Sequence, residues 1–323
     1  MKRILMAMLS AAVLTGFLAS PAQAEGTYPS RSVKILVGFA PGGGNDILAR
    51  LMAENLQKKL GQPFYVENRS GASGMIAIDA VKHAEPDGYT LLVGPSSGMV
   101  VNPSLFAKIT YDPVNDFAPI TMMGDIPMIV TVNLRSPART LPEFLDTARR
   151  ALQPLHIGSA ATSFQLAGAV FADKAGIKLD DVPYRGSSQV VAALLAGEVD
   201  IALVDAAAVL PQIQAGKLRA LAVTGGRRFS QLPDVPTVTE GGAPGFVMTF
   251  WSAMFAPAGT PAAVVSTLQM SIKQILALPE VVVRLKELGI EPTTSTPGEL
   301  MDTLKREIPL YQNAARMAGV QPQ

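Results

Sequence analysis

Short apolar runs alternate with longer amphipathic stretches along most of the chain. The runs VKILVGF, FYVEN, YTLLVG, LHIGSA, VDIALVD and LRALAVT are typical of strands. Most of them are almost continuously apolar, as expected of strands that are covered on both faces. Helical periodicity occupies Asp46–Leu60, Phe164–Ala175 and Ser187–Ala196 between them. The alternation predicts α/β domains with largely parallel sheets.

The order of these elements predicts two lobes. The segment NDFAPITMMGDIPMIVTVN is a candidate crossing strand, and the region from SPARTLPEFLDTARRA to LAVT predicts one self-contained α/β unit. A Pro- and Gly-rich stretch follows, and then two predicted helices run to the end. The last helix has one apolar face, predicted to dock on the first domain, made of Leu300, Leu304, Ile308, Tyr311 and Ala315. We therefore expect two α/β lobes, joined by two crossovers, with a cleft between them.

The first residues have the pattern of a secretory signal. Lys2 and Arg3 precede an apolar stretch, and the small-x-small site AQA ends at Ala24. A membrane anchor is the alternative, but the stretch is short for a span of about 20 residues and no charge follows it. No cysteine is present to carry a lipid. We expect cleavage after Ala24 and an exported, periplasmic mature chain.

Composition excludes several classes of function. Without Lys2 and Arg3 the 27 basic residues become 25, against 26 acidic residues, and no basic run occurs. Such a chain is a poor nucleic-acid binder. The absence of cysteine excludes disulfides and thiolate chemistry. With only two histidines, His83 and His156, and no His-Glu-x-x-His motif, we expect neither a metal site nor a cofactor.

The glycine-rich loop APGGGND, between a predicted strand and a predicted helix, resembles a nucleotide site only superficially. Gly42 and Gly44 fit the first two glycines of the dinucleotide fingerprint, but Ile47 stands where the third belongs. No Gly-Lys-Ser/Thr follows, so a phosphate-binding P-loop is excluded as well. An exported protein also encounters little nucleotide. A nucleotide site is therefore disfavoured.

A serine hydrolase is the second hypothesis. The motif GPSSG after the strand YTLLVG places Ser96 at the nucleophile position, and APGGG upstream can serve as an oxyanion loop. The base is the weak point. His83 precedes the serine in a polar turn, where we expect a solvated helix-end residue, and His156 opens a strand, where we expect a packed side chain. A serine without a positioned base is a poor nucleophile.

Anion capture is the third hypothesis. If Asp46 lies at the start of a helix, the amides of Gly42 to Asn45 point outward at its positive end. Such a terminus binds a carboxylate without a cation. The segment LHIGSAATSF repeats this order in the other lobe, with hydroxyls at Ser159, Thr162 and Ser163 and candidate amide donors from Ala160 to Phe164. The alternative is that both segments are only tight strand–helix turns.

The chain resembles the periplasmic substrate-binding receptors of tripartite tricarboxylate transporters, the Bug-type receptors. The matching segments are YPSRSVKILVGFAPGGGNDILAR, VENRSGASG, KHAEPDGYTLL, YDPVNDFAPI, VPYRGSSQVVAALLAGEVDIAL, GKLRALAVTGGRRFSQLPDVPTVTEGG and WSAMFAPAGTP. The resemblance implies an α/β, two-lobed fold like that of type II periplasmic binding proteins, with mixed, mostly parallel sheets. Two crossover strands would lie near APITMMGDIPMIV and GFVMTFWSAMF. Residues 25–126 and 249–323 would then form lobe 1, and residues 127–248 lobe 2.

The resemblance also implies a ligand site in the cleft, built from backbone amides and ordered waters. Ser96 and Ser97 follow a strand of lobe 1 and Asp205 one of lobe 2, while Tyr184 and Arg185 are within reach of a carboxylate. An ion pair beneath the cleft is the alternative role of Arg185. The expected ligand-binding residues are Phe39, Ala40, Pro41, Gly42, Gly43, Asn45, Asp46, Ser96, Ser97, Ser159, Ala160, Ala161, Thr162, Ser163 and Asp205.

The implied function is capture of a small organic acid and delivery to a membrane permease, without catalysis. Docking on a sensor kinase is an alternative that the same cleft would serve, and we expect a monomer. One departure from the family pattern is the second loop, GSAATSF, where family members often have another glycine. The bulk of Ala161 and Thr162 bears on which acid is bound.

Overall fold

A long strand that runs through both halves of the molecule organises the fold. The computed structural model describes residues 28–39, 41–42, 44–184 and 186–322. The predicted signal at residues 1–24 and the candidate residues Ala40, Gly43 and Arg185 lie outside them. In chain order the elements are β1 (Val33–Val37), α1 (Gly44–Leu60), β2 (Phe64–Asn68), α2 (Met75–Lys82), β3 (Thr90–Pro95), α3 (Asn102–Leu105), β4 (Phe117–Asn133), α4 (Leu141–Arg150), β5 (Leu155–Ser159), α5 (Thr162–Ala175), β6 (Leu179–Pro183), α6 (Ser187–Ala196), β7 (Ile201–Asp205), α7 (Ala206–Gln214), β8 (Leu218–Val223), β9 (Thr249–Pro257), α8 (Ala262–Leu276), α9 (Pro279–Glu287), β10 (Glu291–Pro292) and α10 (Pro297–Met317).

Strand β4 belongs to two sheets and changes partners at its middle. Its first half, Phe117 to Pro127, pairs antiparallel with β9, and β10 pairs with it at Asp125. From Met128 onward its partners are β7 and β8, again antiparallel. The strand order is β2-β1-β3-β9-β4-β7-β5-β6. We define lobe 1 as β1–β3, β9, β10 and the first half of β4, and lobe 2 as β5–β8 and its second half, each with its flanking helices.

Parallel pairing occupies the outer part of each lobe. In lobe 1, β1 pairs in parallel with β2 and β3. In lobe 2, β5 pairs in parallel with β6 and β7. Each parallel pair is joined through a helix that covers a face of the sheet, which explains why these strands are almost continuously apolar. The strands proposed for the six apolar runs are all present.

Two elements differ from the sequence-based expectation. Strand β6 was not predicted, because Asp180 and Asp181 interrupt its apolar pattern. It lies at the edge of the lobe 2 sheet, where Asp180 is exposed and Asp181 is half-buried. The prediction of two helices after the Pro- and Gly-rich stretch was wrong, since α8, α9 and α10 all follow it. A proline at the first helical position of α9, Pro279, marks the start that was overlooked.

The C-terminal helix α10 connects the two lobes. Its predicted apolar face is buried at Leu300, Leu304, Tyr311 and Ala315. These side chains join a core that includes Val130 of β4 together with residues of α5 in lobe 2. The helix therefore packs on both lobes and not on the first alone, as had been expected. Among the described residues, no helix is both long and apolar enough to cross a membrane.

We predict that Leu304→Ala lowers the free energy of unfolding by about 3 kcal/mol, because it leaves a cavity where α10 meets the shared core. Urea unfolding measures the change. Met317→Ala, an exposed position on the same helix, is the control and should cost less than about 0.5 kcal/mol. Equal losses for the two variants would contradict the proposed packing.

Candidate functional site

The carboxyl ends of four parallel strands converge on the middle of the β4–β9 pair. Pro95, at the end of β3, lies opposite Ser252 of β9. Asp205, at the end of β7, lies opposite Met128 of β4. Strand β1 is beside β3, and β5 is beside β7, so their carboxyl ends face the same region. This is the edge of open α/β sheets at which ligands bind.

Consecutive residues of β9 contact loops from both lobes. The Ser252 hydroxyl donates to the side-chain oxygen of Asn45, in the first turn of α1 just after the β1 loop, at 2.5 Å. The Phe250 ring packs edge-to-face on Phe164, at the start of α5, with centroids 4.8 Å apart. Because Phe250 and Ser252 are two positions apart on a strand, their side chains point to the same face about 7 Å from each other. The loop of lobe 1 and that of lobe 2 therefore open onto one face of β9.

The loop after β1 is held by the carboxylate of Asp46, which is 2% exposed. One oxygen accepts from the Gly42 amide at 2.9 Å and from Arg50 Nε at 3.0 Å. The other accepts from Asn68 Nδ2 at 2.9 Å, and this amide group also donates to the Phe39 carbonyl. Burial alone would raise the pKa of Asp46, but the hydrogen bonds from Arg50, Gly42 and Asn68 outweigh it and lower the pKa to about 2.

This network corrects one expectation about the loop. The Gly42 amide was expected to be free for a ligand, but Asp46 caps it. Among the described residues, the amides of Gly44 and Asn45 at the start of α1 have no acceptor. Pro41 and Gly42 are exposed, and Phe39 and Asn45 are half-buried. Among the described residues, the donors without an acceptor on this side are thus at the first turn of α1.

The wall beneath Phe39 is a strained turn. The backbone has positive φ at Gly71, Ala72, Ser73 and Gly74, of which two are not glycine. A side chain at Gly74 would meet the Phe39 ring at 3.3 Å, and one at Gly38 would lie 2.7 Å from the Gly74 Cα. The close approach of these two backbones explains both glycines. Such strain concentrates at functional sites, where the surrounding structure over-determines it.

The loop after β5 presents the start of α5 to the same face. Its N-cap residue, Ala161, is extended and provides no side-chain cap. Among the described residues, the amides of Thr162 and Ser163 form no hydrogen bond. Ala161 is exposed, whereas Thr162 and Ser163 are half-buried. An uncapped helix terminus that opens onto the cleft is suited to an anion.

Two donors expected in this second loop are already engaged. The Ser159 side chain is buried and hydrogen-bonds the Asp181 carboxylate, whose pKa is raised by burial in spite of this bond. The Phe164 amide donates to the Ala161 carbonyl at 3.0 Å. Ala160 is buried as well. Of the predicted amide donors in this segment, those of Ala160, Ala161, Thr162 and Ser163 form no hydrogen bond among the described residues.

Asp205 lies at the site but its oxygens have partners. One oxygen caps α7 by accepting from the Ala208 amide at 3.1 Å. The other accepts from the Ser187 hydroxyl at 2.5 Å, at the start of α6. A carboxylate that is fixed in this way repels an anionic ligand unless a donor lies between them. Tyr184 is half-buried, and its amide is bound to the Ser159 carbonyl.

The geometry around Ser96 does not resemble a hydrolase. Ser96 is 1% exposed, and its hydroxyl oxygen accepts from the Trp251 amide at 3.2 Å. His83 is exposed at the end of α2, as expected. His156 lies at the amino end of β5, about 10 Å from the loop that follows this strand. His156 is exposed and not packed as expected; Asp200 bonds its backbone amide and carbonyl, and the ring Nδ1 lies 3.7 Å from the Asp200 carboxylate. Neither ring can activate Ser96, and the neighbouring Ser97 is half-buried.

Several residues that shape the site were not predicted. Asn68 and Arg50 hold Asp46, while Phe250 and Ser252 connect the loops to β9. For Phe164 the amide was a candidate donor, but the contact of its ring with Phe250 was not predicted. Asn68 is the polar residue that ends β2, a position which often faces the ligand edge of a sheet. Phe250 and Ser252 carry no comparable signal, because only the register of β9 gives them a common face.

Comparison with known proteins agrees with this geometry. Residues 48–314 match the model of the tripartite tricarboxylate transporter family receptor. The chain is 34% identical to the protein BugT of Bordetella pertussis, over 98% of this chain and 97% of BugT. The predicted family and the two-lobed, type II binding-protein-like fold are confirmed.

Solved structures of similar chains contain small dicarboxylates. An R. palustris protein with adipate is 32% identical, with a TM-score of 0.73 over 92% of this chain and 100% of that chain. MatC from Rhodopseudomonas palustris with bound malate is 31% identical, with a TM-score of 0.68 over 89% and 99% of the two chains.

We predict that Asp46→Asn lowers the free energy of unfolding by about 2 kcal/mol at pH 7, because one amide oxygen replaces two charged acceptors. Since the folded protein holds this pKa at about 2, the contribution of Asp46 is present above about pH 4 and is lost as the pH falls towards 2. Urea unfolding between pH 2 and 7 should therefore show the two proteins converging in acid. The exposed Asp302→Asn is the control, and an equal effect at both positions would contradict the network.

Proposed function

The chain belongs to the tripartite tricarboxylate transporter receptors, and we propose that it captures a small organic carboxylate between its two lobes. It then delivers the ligand to the membrane permease of such a transporter. The observation that carries this proposal is the common face of β9, onto which the start of α1 and the uncapped start of α5 both open. Each start combines free amides with the positive end of a helix dipole.

The ligand class that fits best is a dicarboxylate. One carboxylate would lie against the first turn of α1, near Gly44 and Asn45, and the other against Thr162 and Ser163 of α5. The half-buried rings of Phe164 and Phe250 lie beside the path between these termini and suit an apolar chain that joins the two carboxylates. The adipate and malate in the related structures support this class.

The affinity would come from closing the lobes over the ligand. Strand β4 changes partner between Pro127 and Met128, and β9 begins at Thr249, so rotation there leaves each sheet intact. We therefore keep residues 25–126 and 249–323 as lobe 1 and residues 127–248 as lobe 2. Closure excludes water, and the lower dielectric strengthens each hydrogen bond from an amide to a carboxylate.

We infer that residues 1–24 are removed on export and that the mature protein acts in the periplasm. We further infer that it acts as a monomer. Binding without turnover fits the site, because Ser96 is buried and has no histidine in position. Transport is favoured over partnership with a sensor kinase, because the family that matches is a transporter receptor.

The test is calorimetry on the mature chain, residues 25–323, with succinate, malate, glutarate, adipate and citrate. We expect at least one dicarboxylate to bind with a Kd at or below about 10 μM, near −7 kcal/mol. Adipamide and hexanoate are the controls, and both should bind at least tenfold more weakly than adipate-length diacids, since each lacks carboxylate charge at one or both ends. A protein that binds none of the acids, or that binds the diamide equally well, would refute carboxylate capture.

We further predict that Thr162→Pro weakens binding of the preferred diacid at least tenfold while leaving the fold intact. Thr162 is the first residue of α5 and follows the extended Ala161, a position that accepts proline. The substitution removes one amide proton from the site and disturbs no hydrogen bond within the helix. Calorimetry gives the affinity, and urea unfolding gives the stability.

The matched control for this change is Thr162→Ala, which removes the hydroxyl and keeps the amide. We expect its Kd to remain within about threefold of that of the unsubstituted protein, below about 0.7 kcal/mol. If Thr162→Pro bound as tightly as Thr162→Ala, the amide of residue 162 would not be a ligand donor, and the second anion site would have to be sought elsewhere.

A further inference from the structure

Trp251 lies between the two residues of β9 that contact segments at the cleft. Phe250 packs on α5 of lobe 2, and Ser252 bonds Asn45 of lobe 1. The Trp251 side chain points away from both of them, because successive side chains of a strand alternate. It is 1% exposed. A shift of Trp251 would therefore move both of its neighbours.

The strand pairing around Trp251 is incomplete. The ladder between β3 and β9 ends at Ser252, so Trp251 has no partner residue on β3. Its amide donates instead to the Ser96 hydroxyl oxygen at 3.2 Å. On the other side, the register with β4 shifts between Met122 and Gly124, and Gly124 is the partner of Ser252. Backbone pairing therefore holds this part of β9 less firmly than a regular ladder would.

The indole N–H of Trp251 donates to the Glu307 carboxylate of α10 at 2.8 Å. An indole nitrogen is a donor only, and a buried one needs an acceptor. The Glu307 side chain is 17% exposed, and its other oxygen lies 3.4 Å from the Arg306 guanidinium. Burial raises the pKa of Glu307, and the hydrogen bond from Trp251 is the largest of the effects that oppose the rise. This bond joins the middle of the cleft segment of β9 to α10.

A cavity of about 200 Å³ lies beside this pair, and both Trp251 and Glu307 line it. An aromatic side chain that borders a cavity lacks packing contacts on that side, so packing alone does not fix its orientation. The hydrogen bond to Glu307 supplies the restraint that packing does not supply there.

We propose that Glu307 is a positioning residue of the ligand site. It holds the Trp251 indole, Trp251 keeps Phe250 and Ser252 in place on the cleft face of β9, and Glu307 thereby sets ligand affinity without touching the ligand. Without the carboxylate, the buried indole N–H loses its acceptor, and the indole must turn towards the cavity or towards solvent to find another. The effect on affinity rests on the proposed function, whereas the effect on β9 does not.

The first experiment needs no ligand. The chain has one tryptophan, so its indole gives a single signal in a proton–nitrogen correlation spectrum. In Glu307→Ala the indole proton should exchange with solvent at least about tenfold faster, and the amide signals of Phe250 and Ser252 should move. Glu307→Gln keeps an acceptor oxygen and should restore both the slow exchange and the original signals. If the Phe250 and Ser252 signals stay in place in Glu307→Ala, the positioning role is wrong.

The second experiment measures the Kd of the diacid that the unsubstituted protein binds best, by calorimetry. Glu307→Ala should raise this Kd at least about fivefold, and Glu307→Gln should stay within about twofold of the original value. A Kd for Glu307→Ala that equals that of the unsubstituted protein would overturn the effect on affinity.

Leu300→Ala is the matched control for loss of stability. Leu300 is fully buried on the same helix. It lies two turns before Glu307, about 10 Å away, and its truncation leaves a cavity without removing the Trp251 bond. The Kd and the Phe250 and Ser252 signals of this variant should equal those of the unsubstituted protein.

If Leu300→Ala raised the Kd as much as Glu307→Ala, general destabilisation would be the cause and the proposal would be wrong. Failure of the unsubstituted protein to bind any diacid would refute the function. Unmoved signals of Phe250 and Ser252 in Glu307→Ala would refute the positioning of β9, so the two failures can be told apart.

Discussion

The antiparallel pairing of β4 with β9 is the constraint on which the site depends. Strand β4 serves both sheets, and β9 enters beside its first half where the partners change. The carboxyl ends of the parallel strands are thereby directed at one place from two sides. Because side chains alternate along β9, Phe250 and Ser252 lie on one face of the strand, where they contact segments of both lobes. Trp251 lies on the opposite face.

The donors that face the cleft among the described residues are backbone amides and not positive side chains, and the physical reason lies in how the acids of the site are held. Asp46 is neutralised by Arg50 and by amide donors behind the loop, so its charge is directed away from the first turn of α1. The two carboxylate oxygens of Asp205 accept hydrogen bonds from the first turn of α7 and from the Ser187 hydroxyl. What remains towards the cleft is a pair of helix starts whose amides have no acceptor among the described residues, and the partial positive charge of such a helix start suits a carboxylate.

The two faces of the hinge have opposite characters. On the cleft side the lobes contribute separate sets of unpaired donors, which a ligand with two acceptor ends can connect. On the side of Trp251, helix α10 packs against both lobes and joins them in one core. If the lobes close over a ligand, the ligand shifts them towards the closed form only by binding that form better.

The sequence by itself determined the element types, the family and the two segments that open onto the cleft. Apolar runs of strand length and helical periodicity are local signals, which is why the six proposed strands were found. A glycine-rich turn before a helix is also a local signal, so it could be predicted from the sequence. Strand β6 was not predicted because two aspartates interrupt its apolar pattern. The three C-terminal helices were counted as two for a comparable reason, since α8 and α9 are separated by very few residues.

The tertiary structure decided which donors are available and how the lobes touch. The Gly42 amide is not free for a ligand because it donates to Asp46. The Ser159 hydroxyl is occupied in the same way by Asp181, on the neighbouring strand. The contact of Ser230 with Glu291 joins residues far apart in the chain. Hydrogen-bond partners of this kind are set by the register of strands and the packing of helices, which bring distant residues together and leave no local periodicity in the sequence to reveal them.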